Sequence, residues 1–223
     1  MAPSARAFVL RHSRLRNVPG VDGIRLYLAD DVLSLWHATQ EATGDPDAPV
    51  PYWAFAWGGG LAITRYLRDH PEIVAGRRVL DIASGSGLCA IAALREGAAA
   101  ATAVDIDPLA VAAIRVNARA NRQRLDVVCG DILDEEPPAV DLILAGDCWY
   151  EERFAARVTA WLQRASDRGI GVRIGDPDRR YLPHDAVRRI AAYDVRTTTD
   201  LEDLGRTRAF VHELRGRPAG TVA

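Results

Sequence analysis

The chain has 223 residues, 48% hydrophobic and 26% charged, with a net charge of −2. That is ordinary for a globular protein large enough to bury a core. Near-neutrality gives no electrostatic footprint for nucleic acid or an anionic membrane, and no apolar run is long enough to span a bilayer. All 28 basic residues are arginine, which suits the codon usage of a GC-rich bacterium, and we expect a cytoplasmic protein. Mitochondrial targeting by the arginine-rich start (Arg6, Arg11, Arg14 and Arg16 ahead of the first acid, Asp22) is the minor alternative. Cys89, Cys129 and Cys148 lie far apart in apolar runs and read as buried free thiols, neither a disulfide framework nor a zinc site. The five histidines form no metal spacing and default to surface positions, so no metal is expected.

In chain order, Ile24 to Leu28 alternates like a short strand, and Asp31 to Ala42 fits a helix with Val32, Leu35 and Trp36 on one side. Gly44 to Pro51 reads as a loop. Four aromatics then precede three glycines (Tyr52-Trp53-Ala54-Phe55-Ala56-Trp57-Gly58-Gly59-Gly60), ahead of a helix from about Leu61 to His70. From Arg78 onward strands alternate with helices. Strands are expected at Arg78–Ile82, Ala101–Val104, Leu125–Cys129, Asp141–Ala145 and Ile170–Ile174, with helices at Leu88–Glu96, Pro108–Asn121 and Glu151–Ser166. Pro108 suits a first helical turn, where its missing N–H is an orphan anyway. Two more strands, Tyr193–Thr199 and Arg208–Leu214, follow with a short polar loop between them, which makes that pair antiparallel. The alternation predicts an α/β fold: a seven-stranded, mostly parallel sheet with helices on both faces and an antiparallel C-terminal strand. With no repeat or linker, we read one domain over 1–223, with an N-terminal cap over 1–50, a core over 51–215 and a tail over 216–223.

The richest stretch is Val79-Leu80-Asp81-Ile82-Ala83-Ser84-Gly85-Ser86-Gly87-Leu88. An apolar strand runs into a glycine turn and then a helix, whose first N–H groups are free for a ligand. Alone, such a turn has a bland explanation, because tight strand-to-helix turns often need glycine. Here Asp81 lies in the strand end, Asp105 ends the next strand, and Gly130-Asp131-Ile132 follows the third. Open α/β sheets bind ligands at these carboxyl ends, and an acid after the second strand suits ribose hydroxyls. A dinucleotide fold is the rival, since Gly85-x-Gly87-x-x-Ala90 is an allowed fingerprint. Asp81 within the strand, seven strands and the lack of a second mononucleotide half argue against it.

Asp81-x-Ala83-x-Gly85-x-Gly87 resembles motif I of the seven-stranded, Rossmann-like S-adenosylmethionine-dependent methyltransferases, which have Gly where this chain has Ala83. The resemblance implies S-adenosylmethionine as cofactor and a transferase activity. It implies that Asp105 holds the ribose, Ile106 packs on the adenine, and Asp131 with Ile132 meets the adenine edge. Ser84, Gly85 and Gly87 would face the methionine part, and Asp81 its ammonium. Asp147-Cys148-Trp149-Tyr150, after the fourth strand, is similar to a signature of protein lysine methyltransferases. Pro51 to Gly59 and Ile174-Gly175-Asp176-Pro177 look most like the electron transfer flavoprotein beta-subunit lysine methyltransferases. That resemblance implies protein-lysine methylation with Asp147 and Tyr150 as catalytic residues and Trp149 and Asp176 as substrate-binding ones. The implied partner is a protein presenting a lysine, the electron transfer flavoprotein beta subunit first, with no nucleic acid, membrane or metal. A small-molecule amine methyltransferase and a non-catalytic partner protein stay open. So do blander readings: Asp147 as a helix cap, Gly175-Asp176-Pro177 as a plain turn, and the aromatic run as packing. Trp57 with Gly58 to Gly60 could instead cover the cofactor's methionine end.

Overall fold

The computed structural model describes residues 4–197 and 206–215. The end of the expected strand at Thr198–Thr199, the loop after it and the tail 216–223 lie outside the described residues. The chain forms α1 (Ala5–His12), β1 (Arg14–Asn17), β2 (Arg25–Leu28), α2 (Val32–Thr43) and a short 3-10 turn at Tyr52–Ala54. Then come α3 (Gly58–Asp69), β3 (Arg78–Ile82), α4 (Leu88–Arg95), β4 (Ala100–Asp105), α5 (Pro108–Ala120), β5 (Asp126–Cys129) and β6 (Leu142–Gly146). The chain continues with α6 (Glu152–Asp167), β7 (Gly171–Asp176), β8 (Val187–Val195) and β9 (Thr207–Leu214). The cap helix α1 and strand β1 carry no clear periodicity and were not expected; β8 begins six residues before the predicted strand. Among the described residues no helix is long and apolar enough to cross a membrane.

The main sheet has seven strands in the order β5-β4-β3-β6-β7-β9-β8. Its first five strands pair in parallel, and β9 runs antiparallel to both β7 and β8. The central strands are apolar throughout because both faces are covered, and successive residues feed opposite faces. Val79, Leu142 and Leu144 join one core with α3 and α4. Leu80, Ile82, Ile143 and Ala145 join the other, with Trp149 and the α6 residues Val158, Trp161 and Leu162.

Sheet order corrects two expectations. Strand β5 is an edge, so Cys129 is exposed while Cys89 and Cys148 are buried. Strand β9 is last in sequence but lies inside the sheet, so its His212 is buried, and burial lowers its pKa to about 4.

Caps set the helix starts. Asp107 accepts the Leu109 N–H at 2.8 Å ahead of Pro108 in α5. Glu151 accepts the Arg153 and Phe154 N–H groups and caps α6, so Asp147 is not that helix's cap. Helix α3 starts at Gly58, so the glycines are its first turn and not a loop ahead of it. A Cβ on Gly59 would lie 2.1 Å from the Gly175 carbonyl oxygen, and one on Gly175 would lie 2.1 Å from that of Gly59. Helix α3 thus approaches β7 backbone to backbone, which any side chain would prevent.

The β1–β2 hairpin is clamped to the sheet by two asparagines of α5 and its cap. Buried Asn117 accepts the Tyr27 N–H at 2.7 Å and donates to the Ser86 carbonyl at 2.8 Å. Asn121 accepts the Arg25 N–H and donates to its carbonyl. A polar residue in the apolar face of α5 is tolerated because every one of these bonds is made. Asn117 thereby ties the cap to the glycine turn.

Candidate active site

The carboxyl ends of β3 to β7 open onto one cavity of about 790 Å³. A cleft of this size suits a ligand the size of a nucleoside conjugate. Asp81, Ala83, Ser84, Gly85, Asp105 and Ile106 line it on one side, and Asp131 and Ile132 close its far end. Trp57, Asp147 and Tyr150 line the opposite side.

The glycine turn is shaped by left-handed backbone. Gly85 has φ +54° and Gly87 φ +82°, where a side chain costs about 1–2 kcal/mol. Ala83 also has a positive φ, +46°, so alanine occupies a position whose geometry favours glycine. Gly87 does not line the cavity. A Cβ there would meet Ile114 of α5 at 3.2 Å, so its small size serves packing.

Around this turn the carboxylates are held but not saturated. Asp105 accepts the Gly85 N–H at 2.8 Å on Oδ2 and the Asp107 N–H at 3.0 Å on Oδ1, leaving a lone pair on each oxygen. Burial raises its pKa, against the pull of those amides. Beside it Ile106 is 69% exposed, a flat apolar surface facing the cavity. Asp81 is 2% exposed; its Oδ2 accepts the Ser84 hydroxyl and the Ala90 N–H, and Oδ1 accepts nothing from the described residues. Burial raises the Asp81 pKa to about 7, with the neighbouring Asp105 charge adding to it. Asp131 accepts the Leu133 N–H at 3.0 Å and the Arg157 guanidinium at 2.9 Å. Burial pushes its carboxyl up, but the amide and Arg157 together bring it below its usual value.

The opposite end is built differently. Asp147, with φ +60°, accepts the Gly59 N–H at 3.0 Å on Oδ1 and the Gly60 N–H at 2.7 Å on Oδ2, and so caps α3 from a distance. Its Oδ1 also takes Arg179 Nη1 at 2.6 Å. Four aromatic rings wall this end. Tyr52 packs on Tyr150 at 5.2 Å and on Trp57 at 5.7 Å, and Tyr150 packs on Phe154 at 5.6 Å. The Trp57 indole N–H donates to the Tyr52 carbonyl at 2.8 Å, which fixes its plane. Tyr52 and Tyr150 are 39% and 47% exposed, so they stand at the mouth. Partial burial raises both phenol pKa values.

Two expected substrate-binding residues do not reach the cavity. Trp149 is fully buried in the core against α6, and its indole N–H donates to Thr159 at 3.1 Å. The aromatic wall comes instead from Tyr52, Trp57, Tyr150 and Phe154. The Asp176 side chain is wholly buried and holds Arg179, at 2.6 Å to its backbone N–H and 3.2 Å to Nη1. Pattern reading missed Tyr52, Phe154, Arg157 and Arg179. The first two carried an aromatic signal that could have been used. The arginines had none, because arginine is the only basic residue in this chain. Among the described residues no group of three or more His, Cys, Asp or Glu side chains is arranged to hold a metal.

Comparisons with known proteins agree with this geometry. Residues 66–146 match the ribosomal protein L11 methyltransferase (PrmA) family. The electron transfer flavoprotein beta subunit lysine methyltransferase of Xenopus laevis is 36% identical over 216 residues, covering 94% of this chain and 87% of the relative. That of Danio rerio is 36% identical over 87% of this chain and 77% of its own length. A crystal structure of ribosomal protein L11 methylase from Lactobacillus delbrueckii superposes with a TM-score of 0.52 at 19% identity, over 71% of this chain and 79% of that one, which shows the shared fold. The cavity at the strand ends, the motif I turn and these relatives together make the chain a member of the electron transfer flavoprotein beta subunit lysine methyltransferase family, S-adenosylmethionine-dependent enzymes of the class I methyltransferase fold.

Proposed function

We propose that the enzyme transfers a methyl group from S-adenosylmethionine to a lysine side chain of a protein, with the electron transfer flavoprotein beta subunit as first candidate. The observation that carries the acceptor reading is the aromatic mouth beside Asp147. Tyr52 and Tyr150, half-exposed with rings 5.2 Å apart, suit a slender alkyl amine reaching in from a folded surface. Support for the protein comes from the relatives, whose names give that subunit as their substrate.

The residues at the opposite end fit the cofactor. Asp105 keeps lone pairs for the ribose hydroxyls, exposed Ile106 offers an apolar platform for adenine, and the unpartnered Asp81 Oδ1 suits an ammonium. Asp131 with Ile132 would meet the adenine edge, and Ser84 with Gly85 the methionine chain. When bound, S-adenosylmethionine supplies an electrophilic methyl; transfer to the amine lone pair breaks the sulfonium C–S bond and leaves S-adenosylhomocysteine. The protein's own work is to position and to desolvate. A free lysine has a pKa of about 10.4, so the attacking amine must lose its proton first. The walls of Trp57, Tyr52 and Tyr150 disfavour the ammonium by excluding water. Asp147 Oδ2 accepts only the Gly60 N–H among the described residues, so it retains one lone pair to orient the amine. The proton leaves through the open mouth to solvent.

Incubation of the purified enzyme with methyl-labelled S-adenosylmethionine and the electron transfer flavoprotein beta subunit tests this. We expect label on lysine of the subunit, with no self-labelling background on lysine, since the chain contains none. Label confined to small molecules or nucleic acid in a lysate would overturn it. An Asp147→Ala variant that binds cofactor and keeps full turnover would remove the orienting role.

A further inference from the structure

The far end of the cavity is held by a helix that the cofactor motifs do not include. Helix α6 presents Arg157, Trp161 and Arg164 at spacings of four and three residues, which places them on one face. All three reach the chain that follows β5. The Trp161 indole N–H donates to the Glu135 carbonyl at 3.0 Å. Arg164 Nη2 donates to the Leu133 carbonyl at 3.1 Å and to that of Glu135 at 3.3 Å. Those bonds fix backbone. Arg157 instead holds side chains, with Nη1 2.9 Å from Asp131 Oδ2 and Nη2 3.0 Å from Asp134 Oδ1. Of the three, only Arg157 lines the cavity.

Asp131 is pinned from both sides. Oδ1 accepts the Leu133 N–H at 3.0 Å and Oδ2 the Arg157 guanidinium, so the carboxylate cannot turn without losing a bond. Each oxygen keeps a lone pair, since no other donor among the described residues reaches it. Burial pushes the carboxyl up, yet the amide and Arg157 bring it below its usual value. It is an ionised group that accepts hydrogen bonds and donates none. The two side chains are 43% and 42% exposed, so their pairing adds little to stability. What it does fix is the direction in which the Asp131 lone pairs point. An acceptor held in one direction distinguishes bases, because adenine presents an exocyclic amino group as donor and a base without that group offers it nothing.

We propose that Arg157 is a positioning residue for base selectivity: by holding Asp131 in one orientation, it makes the far end of the cavity select a nucleoside that carries an exocyclic amino group. The inference rests on the reading of Asp131 as the group that meets the adenine edge, and it is independent of the methyl acceptor. Trp161 and Arg164 keep the backbone of the loop in place without Arg157, so the carboxylate's direction can be changed while the loop stays.

The test is calorimetric affinity for two ligands, S-adenosylhomocysteine and its purine-riboside analogue, which lacks only the 6-amino group. In wild type we expect the amino form to bind about thirtyfold more tightly. Arg157→Met should bring that ratio to about threefold by weakening the amino form, with affinity for the analogue unchanged. Arg164→Met removes a backbone contact of the same helix face and should leave the ratio at its wild-type value. Equal losses for both ligands in Arg157→Met, or an unchanged ratio, overturn the inference, as does a ratio that falls equally in Arg164→Met. Melting temperature verifies that each variant is folded. Should Arg157→Met not fold, Arg157→Lys replaces it, because one ammonium cannot hold both carboxylates as the planar fork does, and the same outcomes decide. Asp131→Ala separates the two levels. A lost ratio there beside an intact one in Arg157→Met overturns the inference and leaves the Asp131 reading standing. A wild-type ratio in Asp131→Ala, or no preference in wild type, overturns both.

Discussion

The two ends of the cavity use the same residue type in opposite ways. At the cofactor end, buried Asp81 and half-buried Asp105 are carboxylates that protein donors satisfy only in part, and Ile106 is an apolar side chain left 69% exposed. Each is an unfavourable feature in the free protein that a nucleoside with an ammonium would relieve. At the acceptor end Asp147 and Asp176 share Arg179, and helix α3 donates two further N–H groups. There the protein's own donors already take up three of the contacts to Asp147. One end leaves its carboxylates open to a ligand, and the other spends most of its carboxylate contacts on holding helix α3 and the turn after β7 in place.

The contrast can be broken by substitution. The largest effect should come from Gly175→Ala, whose Cβ would sit 2.1 Å from the Gly59 carbonyl oxygen. We expect a loss of about 3 kcal/mol or more of stability, read by denaturant unfolding, with the α3–β7 contact and the acceptor end lost together. Next is Asp105→Ala, which should weaken S-adenosylmethionine about 100-fold by calorimetry, or about 3 kcal/mol, with a smaller change in melting temperature. An unchanged affinity would remove Asp105 from the cofactor end.

The Asp81 charge gives a pH signature. Its pKa lies near 7 in the folded protein against an ordinary 3.8, chiefly because of burial. Burying it therefore adds stability below about pH 4, and that contribution is lost as pH rises through 7. Unfolding of the free enzyme should show a decline on the order of 3 kcal/mol between those limits. A bound ammonium favours the ionised form, so cofactor affinity should run the other way and be about tenfold weaker at pH 6 than at pH 8. Asp81→Asn should flatten both curves, and a slope that survives it would assign the proton to another group. The smallest effect is at Ala83. Relief of its φ of +46° is partly offset by the backbone entropy of glycine, so Ala83→Gly should stabilise by no more than about 1 kcal/mol, a rise of a few degrees in melting temperature.

Much of this was legible in the residues. The strands from Arg78 to Ile174 and their intervening helices follow from apolar runs and breakers, and their observed ends fall within two residues of those expected. Asp81, Asp105 and Asp131 come to one cavity because each ends or follows a strand of the same parallel sheet, so period and order alone bring them together. The acceptor end was less readable. Trp149 and Tyr150 are adjacent in sequence, yet one is core and the other is the cavity wall, because a residue's side is decided by the turn that carries it. The three glycines were expected ahead of the helix; they belong to it, since helix propensity penalises glycine and says nothing of a strand that needs to come close.

The sequence by itself determined the sheet, the motif turn and the carboxylates of the cofactor end, because those depend on local periodicity and chain order. The tertiary structure alone decided that Asp147 caps α3 rather than α6, that Asp176 is a buried support, and that Arg179 pairs with both. Those bonds join residues from three separate stretches of chain. Such pairing depends on through-space electrostatics and close packing, which no local pattern in the sequence records.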